Sequence, residues 1–502
     1  MKRIFSILFA VVLVLSLSLV MAVPVMAQPT EVWVDDDFTS ATPSWGTTHF
    51  DKIQDGINAV AEDGTVNVAN GNYNATSSPF VRITKPLTLI GESRDGVILD
   101  GSGTSTIGWA KGIHVTANDV TIKNLTVQNF GAPSYWGYGV LFRDYAHDTP
   151  SEGYIYYSGG VVENVKSQNN CYPMYALVNQ NLTIRDCLIQ NNLGDGMFIA
   201  RESDNVTITG NTVINSGDHG IWVGKCWMGL GPSDNTTITN NYVDGAREGG
   251  ITFCASDGAT ISGNTITNVA GEIYGIGALS LKDGPSNVEA YNNTIYNNDG
   301  SWGEYNGTGH GVGIDGTPSN INLHHNNIYG NTGYGVYNYS SVLVTAENNW
   351  WGHASGPSGV GPGTGDAVSD NVLFDPWVGQ TWVDYEWTYD EAIDGLTTLD
   401  FTSSFTTTVP PEYIAIQIHN DGPDDITLTD VVVNNVTPRG KSIGGDCEVL
   451  TPLYTISAGG DGTFLVEVSA ESLFKGKANV HLWVSFTING NEYHVGVNVH
   501  FR

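Results

Sequence analysis

One short phrase, restated at near-regular intervals, limits what this chain can fold into. VTITGNTV at 206–213 returns as TTITNNYV at 236–243 and as ATISGNTI at 259–266. Anchored on its asparagine, the phrase continues at Asn293, Asn326 and Asn348 and runs backwards with Cys187, Val165 and Leu125 in the same place. The basic step is 22 to 24 residues, lengthened in places by insertions. A fixed phrase with variable spacers is the signature of a solenoid, one coil per repeat.

A second phrase falls in each interval: GMFI at 196–199, GIWV at 220–223, GITF at 250–253 and GVGI at 311–314. Period-2 alternation predicts strands, and the units lack a helix-length apolar pattern. Coils this small bury an apolar face only by stacking, strand on strand about 4.8 Å apart. Equivalent residues then form columns, and the asparagine column is expected to be a ladder of hydrogen-bonded amides in a turn.

These repeats resemble the right-handed parallel β-helix of pectate-lyase-like proteins, and more narrowly the NosD-type β-helix proteins, over about Trp33 to Trp377. The resemblance implies an all-β parallel β-helix. GTGHG at 307–311 is similar to the Gly-His-Gly of polygalacturonases, whose paired-Asp strand and Arg-x-Lys motif are missing here. The NosD resemblance implies copper, but no Met or Cys/His cluster has metal-ligand spacing. No phosphate loop or nucleophile elbow appears.

The order of the chain predicts three parts. Residues 1–27, with Lys2 and Arg3 before an apolar run and a small-residue site at Ala27, read as a signal peptide for export. Residues 28–379 form the β-helix. Within it Phe50, Ile53, Ile57 and Val60 recur at helical spacing, as a helix capping the first coil would. Residues 380–502 lose the phrase and carry longer alternating strands, with a hairpin signal at Asn489-Gly490, as in an immunoglobulin-like β-sandwich. No second long apolar run follows the leader, so the mature chain is expected not to span a membrane.

Twenty Lys and Arg against 52 Asp and Glu give a net charge of −32. Such a surface repels nucleic acid, and it would need a cation to hold a polyanionic glycan. No cofactor is required by any motif, and calcium is the candidate ion. Five cysteines are too few for a disulfide framework; Cys226 and Cys254 are placed to pair, but buried thiols are the preferred expectation.

Candidate site residues follow from the alternation in the Gly-led strands. Phe198, Trp222, Thr252 and Tyr337 are expected to point outward, where aromatic side chains suit sugar rings. Trp136, Trp227 and Trp302 lie in insertions and are further candidates for binding substrate. At the leading end of these strands Asp195, His219 and His310 share one position, with Asp218 and Glu248 one residue earlier. At the trailing end Arg201 and Lys225 share another.

Asp195 and Asp218 are placed either as a carboxylate pair or as calcium ligands, with Lys225, Arg201 or His219 to take a proton. Cleavage of a polysaccharide by hydrolysis or elimination needs such an acid and base. The expected partner is an extracellular polysaccharide or cell-envelope glycan, bound and cleaved by a lyase or hydrolase. The alternative is a non-catalytic structural or adhesive surface protein.

Overall fold

The computed structural model describes residues 27–378, apart from 105, 132–135, 148–152, 226–230, 273 and 302–306, together with the strands between 385 and 501. The signal peptide lies outside the described residues, as do Cys226, Trp227 and Trp302. Three sheets of 14, 10 and 12 strands run the length of the coil region, and every pairing between their neighbouring strands is parallel. Successive coils contribute one strand to each.

Stacking turns the repeat into columns of apolar side chains. Ile184, Ile208, Ile238, Ile261, Ala290 and Leu323 are in register in the 14-stranded sheet. Met197, Ile221, Ile251, Leu279, Val312 and Val336 are in register in the 12-stranded sheet. All of them are buried in one continuous core. Each such aliphatic side chain contributes roughly 1.5–3 kcal/mol on leaving water.

The asparagine ladder forms as the repeat predicts, with one change of member. The backbone N–H and side-chain amide of Asn211 both donate to Asn241 Oδ1, at 3.0 and 2.9 Å. The same pair of bonds links Asn241 to Asn264, Asn264 to Asn293 and Asn293 to Asn326. The last rung is Asn349, not Asn348. Asn348 instead takes a φ of 56°, a left-handed position held in earlier coils by Gly210, Asn240, Gly263, Asn292 and His325. Glycine and asparagine tolerate that region best, so the two adjacent asparagines have different tasks.

Asn264 also donates to Ile238 O at 2.8 Å, so a leucine there leaves several buried partners unsatisfied. Asn264→Leu is expected to cost about 1–3 kcal/mol, measured as a lower denaturant midpoint.

A seven-residue helix, Ile53–Ala59, packs on the first coil through Ile53, Gly56 and Ile57. A Cβ on Gly56 would lie 2.8 Å from Val34 Cγ2, so the helix sits tight against the strand Glu31–Val34. Phe50 belongs to the short strand before it, and Val60 is its C-cap. The last parallel strand is Val372–Leu373.

Beyond it the described strands pair antiparallel in a five-stranded and a three-stranded sheet. Ile488 faces Asn491 across the expected hairpin. Among the described residues no helix is long and apolar enough to cross a membrane.

Candidate active site

The 12-stranded sheet decides where the candidate residues meet. Met197 pairs with Ile221, which places Asp195 and His219 side by side two residues upstream. Asp195 Oδ1 accepts from the His219 backbone N–H at 3.1 Å and lies 3.0 Å from its Nδ1. Glu248 Oε2 stands 3.4 Å from the same nitrogen. Arg247 donates to Asp218 Oδ1 at 2.7 Å, lies 3.7 Å from Glu248 and extends to within 3.9 Å of Glu272.

Four carboxyl groups thus share one guanidinium and one imidazole, and most of the cluster is buried. The His219, Glu248 and Glu272 side chains are at most 5% exposed, whereas those of Asp218 and Arg247 are about a third exposed and face solvent. Burial first, with Asp218 and Asp195 adding to it against the pull of His219 and Arg247, pushes the Glu248 carboxyl up to about 7. Burial and the charge of Asp195 also push Asp218 up. The cluster therefore holds a carboxylic acid near neutrality, the state a proton donor needs. His219 Nε2, Trp222 Nε1 and Thr252 Oγ1 are buried without a hydrogen-bond partner among the described residues.

An aromatic row leads up to the cluster along the same edge. Trp109, Trp136 and Tyr172 stack in turn, with centroids 5.6 and 5.4 Å apart. Trp109 and Trp136 are 49% and 48% exposed. Tyr172 ends the row: Met174 pairs with Met197, which sets Tyr172 opposite Asp195. Its ring lies on Gly194, where a Cβ would be 2.7 Å from Cε1.

Several expectations are corrected. Arg201 and Lys225 do share a column, but just past the far ends of the strands Met197–Ala200 and Ile221–Gly224, whereas Asp195 and His219 lie just before their starts. They do not join the carboxylates; the cation that does is Arg247. His310 is three coils beyond His219. There it accepts from the Tyr334 N–H, contacts the Tyr339 hydroxyl and stacks on half-buried Tyr337 at 4.9 Å. Burial pushes its imidazole down to about 4, so it is neutral.

Phe198 and Trp222 point outward as the alternation requires, yet they are only 7% and 4% exposed. Together with Tyr138, Leu141, Tyr175 and Cys254 they form a second small apolar core on the outside of the sheet, against which Tyr154 packs. They are not an open platform for sugars. Thr252, Ser280 and Gly313 continue the same column. Ser280 and Gly313 are small because the chain at 275–277 lies on them: Ser280 Oγ bonds Gly277 O and Ile276 N–H, and a Cβ on Gly313 would meet Ile276 O at 2.0 Å.

Asp195 and Asp218 are engaged by His219 and Arg247 rather than converging on one point. No group of three or more His, Cys, Asp or Glu side chains is arranged to hold a metal ion among the described residues. Cys171, Cys187 and Cys254 are free and buried.

The profile described as "Right handed beta helix region" matches residues 81–226 and 225–350, more than half of the 502 residues. The chain belongs to the right-handed β-helix family. Solved structures similar to this β-helix include the A-module of a mannuronan C-5 epimerase from Azotobacter vinelandii, 15% identical over 63% of this chain and 89% of that one, with a TM-score of 0.43. An alginate lyase from Paenibacillus sp. is 13% identical over 64% and 96%, with a TM-score of 0.37. A DFA-IIIase from Arthrobacter chlorophenolicus is 14% identical over 69% and 94%, with a TM-score of 0.39. No curated protein matches the sequence.

The protonated carboxyl of this β-helix has a measurable consequence. Folded Glu248 keeps its proton up to about 7, whereas the ordinary value is 4.5. It therefore favours the fold at low pH and loses that contribution as pH rises from 4.5 through about 7, and Asp218 acts in the same direction. Glu248→Gln is expected to flatten this fall in unfolding midpoint, since the amide has no proton to lose. An unchanged slope in the variant would show that Glu248 titrates normally.

Proposed function

We propose that this β-helix is a secreted or cell-surface protein that binds an extracellular polysaccharide along the leading edge of its 12-stranded sheet. We further propose that the Asp195, Asp218, His219 and Glu248 cluster is the place where a glycosidic bond is cleaved. The observation that carries the reading is the continuity of that edge. Exposed Trp109 and Trp136 lead through Tyr172 directly to the carboxyl cluster. Aromatic rings beside convergent polar groups suit a sugar chain.

The roles follow from exposure and charge. Asp218 and Arg247 present their polar groups to an incoming sugar, and Glu248 behind them is the proton donor. Asp195 orients the His219 imidazole through Nδ1. The basic leader at Lys2 and Arg3 with the site at Ala27 supports export, and the charge of −32 argues against nucleic acid as partner.

A non-catalytic rod that binds glycan is the second reading, favoured by the internal pairing of Asp218 with Arg247. Incubation with a panel of polysaccharides, with and without calcium, separates the two. Ultraviolet-absorbing unsaturated ends identify a lyase, and new reducing ends without that absorbance identify a hydrolase. Either signal is expected to disappear in Glu248→Gln. Binding without any product leaves the rod.

A further inference from the structure

We infer that Asn205 and Asn235 are acceptor sites for an N-linked glycan. Each stands two residues before a threonine, in Asn205-Val206-Thr207 and Asn235-Thr236-Thr237, the pattern that marks an acceptor asparagine in an exported chain. The register of Thr207 with Thr237 places the two on neighbouring coils, in the turns that lead into strands Thr207–Thr209 and Thr236–Thr239 of the 14-stranded sheet.

Each turn is built in a fixed order. Ser203 and Ser233 are buried; the Ser203 N–H donates to Ser233 Oγ at 3.3 Å, and the Ser233 N–H to Ser256 Oγ at 2.9 Å. Asp204 and Asp234 come next, and their Oδ1 atoms accept the N–H groups of Asp234 and Asp257, both at 2.8 Å. With two residues tied to the following coil, the third is turned out: Asn205 and Asn235 are exposed, at φ 56° and 55°. That conformation suits asparagine or glycine alike, and Gly159 and Gly258 hold the same place in other coils at φ 75° and 76°.

What sets Asn205 and Asn235 apart is an uncommitted amide. Elsewhere in the column the amide bonds a neighbouring coil: Asn181 donates to Ser158 Oγ at 2.8 Å, Asn287 to Asp257 Oδ1 at 2.6 Å and Asn320 to Asn287 Oδ1 at 2.8 Å. Asn205 and Asn235 make no such bond among the described residues. Their Nδ2 atoms are open to the anomeric carbon of a sugar carried on a lipid pyrophosphate. In the transfer the bond from that carbon to the pyrophosphate oxygen breaks, the N–C bond forms, the lipid pyrophosphate leaves with the electron pair, and the amide proton passes to a base of the transferring enzyme.

The fold also separates these positions from others with the same spacing. Asn124 precedes Thr126 by two residues, but Thr126 is buried with its hydroxyl on Arg94 O at 2.6 Å. Asn338 precedes Ser340, but it is buried and donates to Val342 O and Asn371 O at 2.8 and 2.9 Å. The Asn205 and Asn235 turns follow the far ends of Met197–Ala200 and Ile221–Gly224, whereas Asp195 and His219 precede their starts. A glycan there leaves the proposed binding edge uncovered.

This inference rests on the proposed export of the chain. Mass-spectrometric peptide mapping of the full-length mature protein, purified from the medium and surface of its own source, tests it. Peptides containing Asn205 or Asn235 are expected to carry sugar, and those containing Asn124 or Asn338 none. Thr207→Val with Thr237→Val keeps both asparagines and the strand preference and should abolish the modification, whereas Thr207→Ser with Thr237→Ser should keep it. Exported protein with bare Asn205 and Asn235, sugar on Asn124 or Asn338 instead, or sugar that survives the valine substitutions would each overturn the inference and leave the export reading standing. Protein retained in the cell with its leader intact would remove the reading and the inference together.

Discussion

Replacing Trp222 with alanine is expected to destabilise the β-helix by about 3–5 kcal/mol, a large effect for a residue on the outward side of a strand. Its indole is 4% exposed, packs against Phe198 and meets the His219 ring edge-on at 4.3 Å. Truncation leaves a cavity between the outer apolar core and the carboxyl cluster. Trp136→Ala, by contrast, removes a ring that is 48% exposed and should cost about 1 kcal/mol or less. Denaturant midpoints of the two variants decide the matter. Equal, small shifts would mean that the outward face at Trp222 is open to solvent.

Asp195→Ala should cost about 3 kcal/mol, because one carboxylate oxygen serves both the His219 N–H and its Nδ1 in a buried setting. Asp195→Asn keeps an acceptor for the backbone N–H and should lose clearly less. A second effect follows on the imidazole, which in the alanine variant has Glu248 as its remaining neighbour at 3.4 Å. The His219 ring resonances should then move from their wild-type positions, as followed by NMR. Wild-type stability in Asp195→Ala would show that the dyad is not formed.

Columns were legible in the sequence because a stacked coil converts repeat spacing directly into position. The ladder through Asn211, Asn241, Asn264, Asn293 and Asn326, and the adjacency of Asp195 and His219, follow from register alone. Register also determines that Lys225 lies far from Asp195, a consequence of strand length that the shared column obscured. The choice between Asn348 and Asn349 turned on backbone conformation, which two identical neighbours do not disclose.

What the repeat could not reveal is what covers the outside of the coils. Phe198 and Trp222 lie in an outer apolar cluster against which Tyr154, from an excursion that has no period, packs. Arg247 occupies a turn position and Glu272 an insertion, so neither belongs to a repeated phrase. The sizes along the outward column carried a usable signal: Tyr175, Phe198 and Trp222 are followed by Thr252, Ser280 and Gly313, the pattern left where a loop lies on the sheet.

The most direct test of the account is where a bound oligosaccharide lies on the full-length protein, determined by a crystal structure of the complex. The account predicts a sugar chain along the leading edge of the 12-stranded sheet, touching Trp109, Trp136 and the exposed faces of Asp218 and Arg247. A chain bound at the trailing end near Lys225, or on either of the other two sheets, would contradict it.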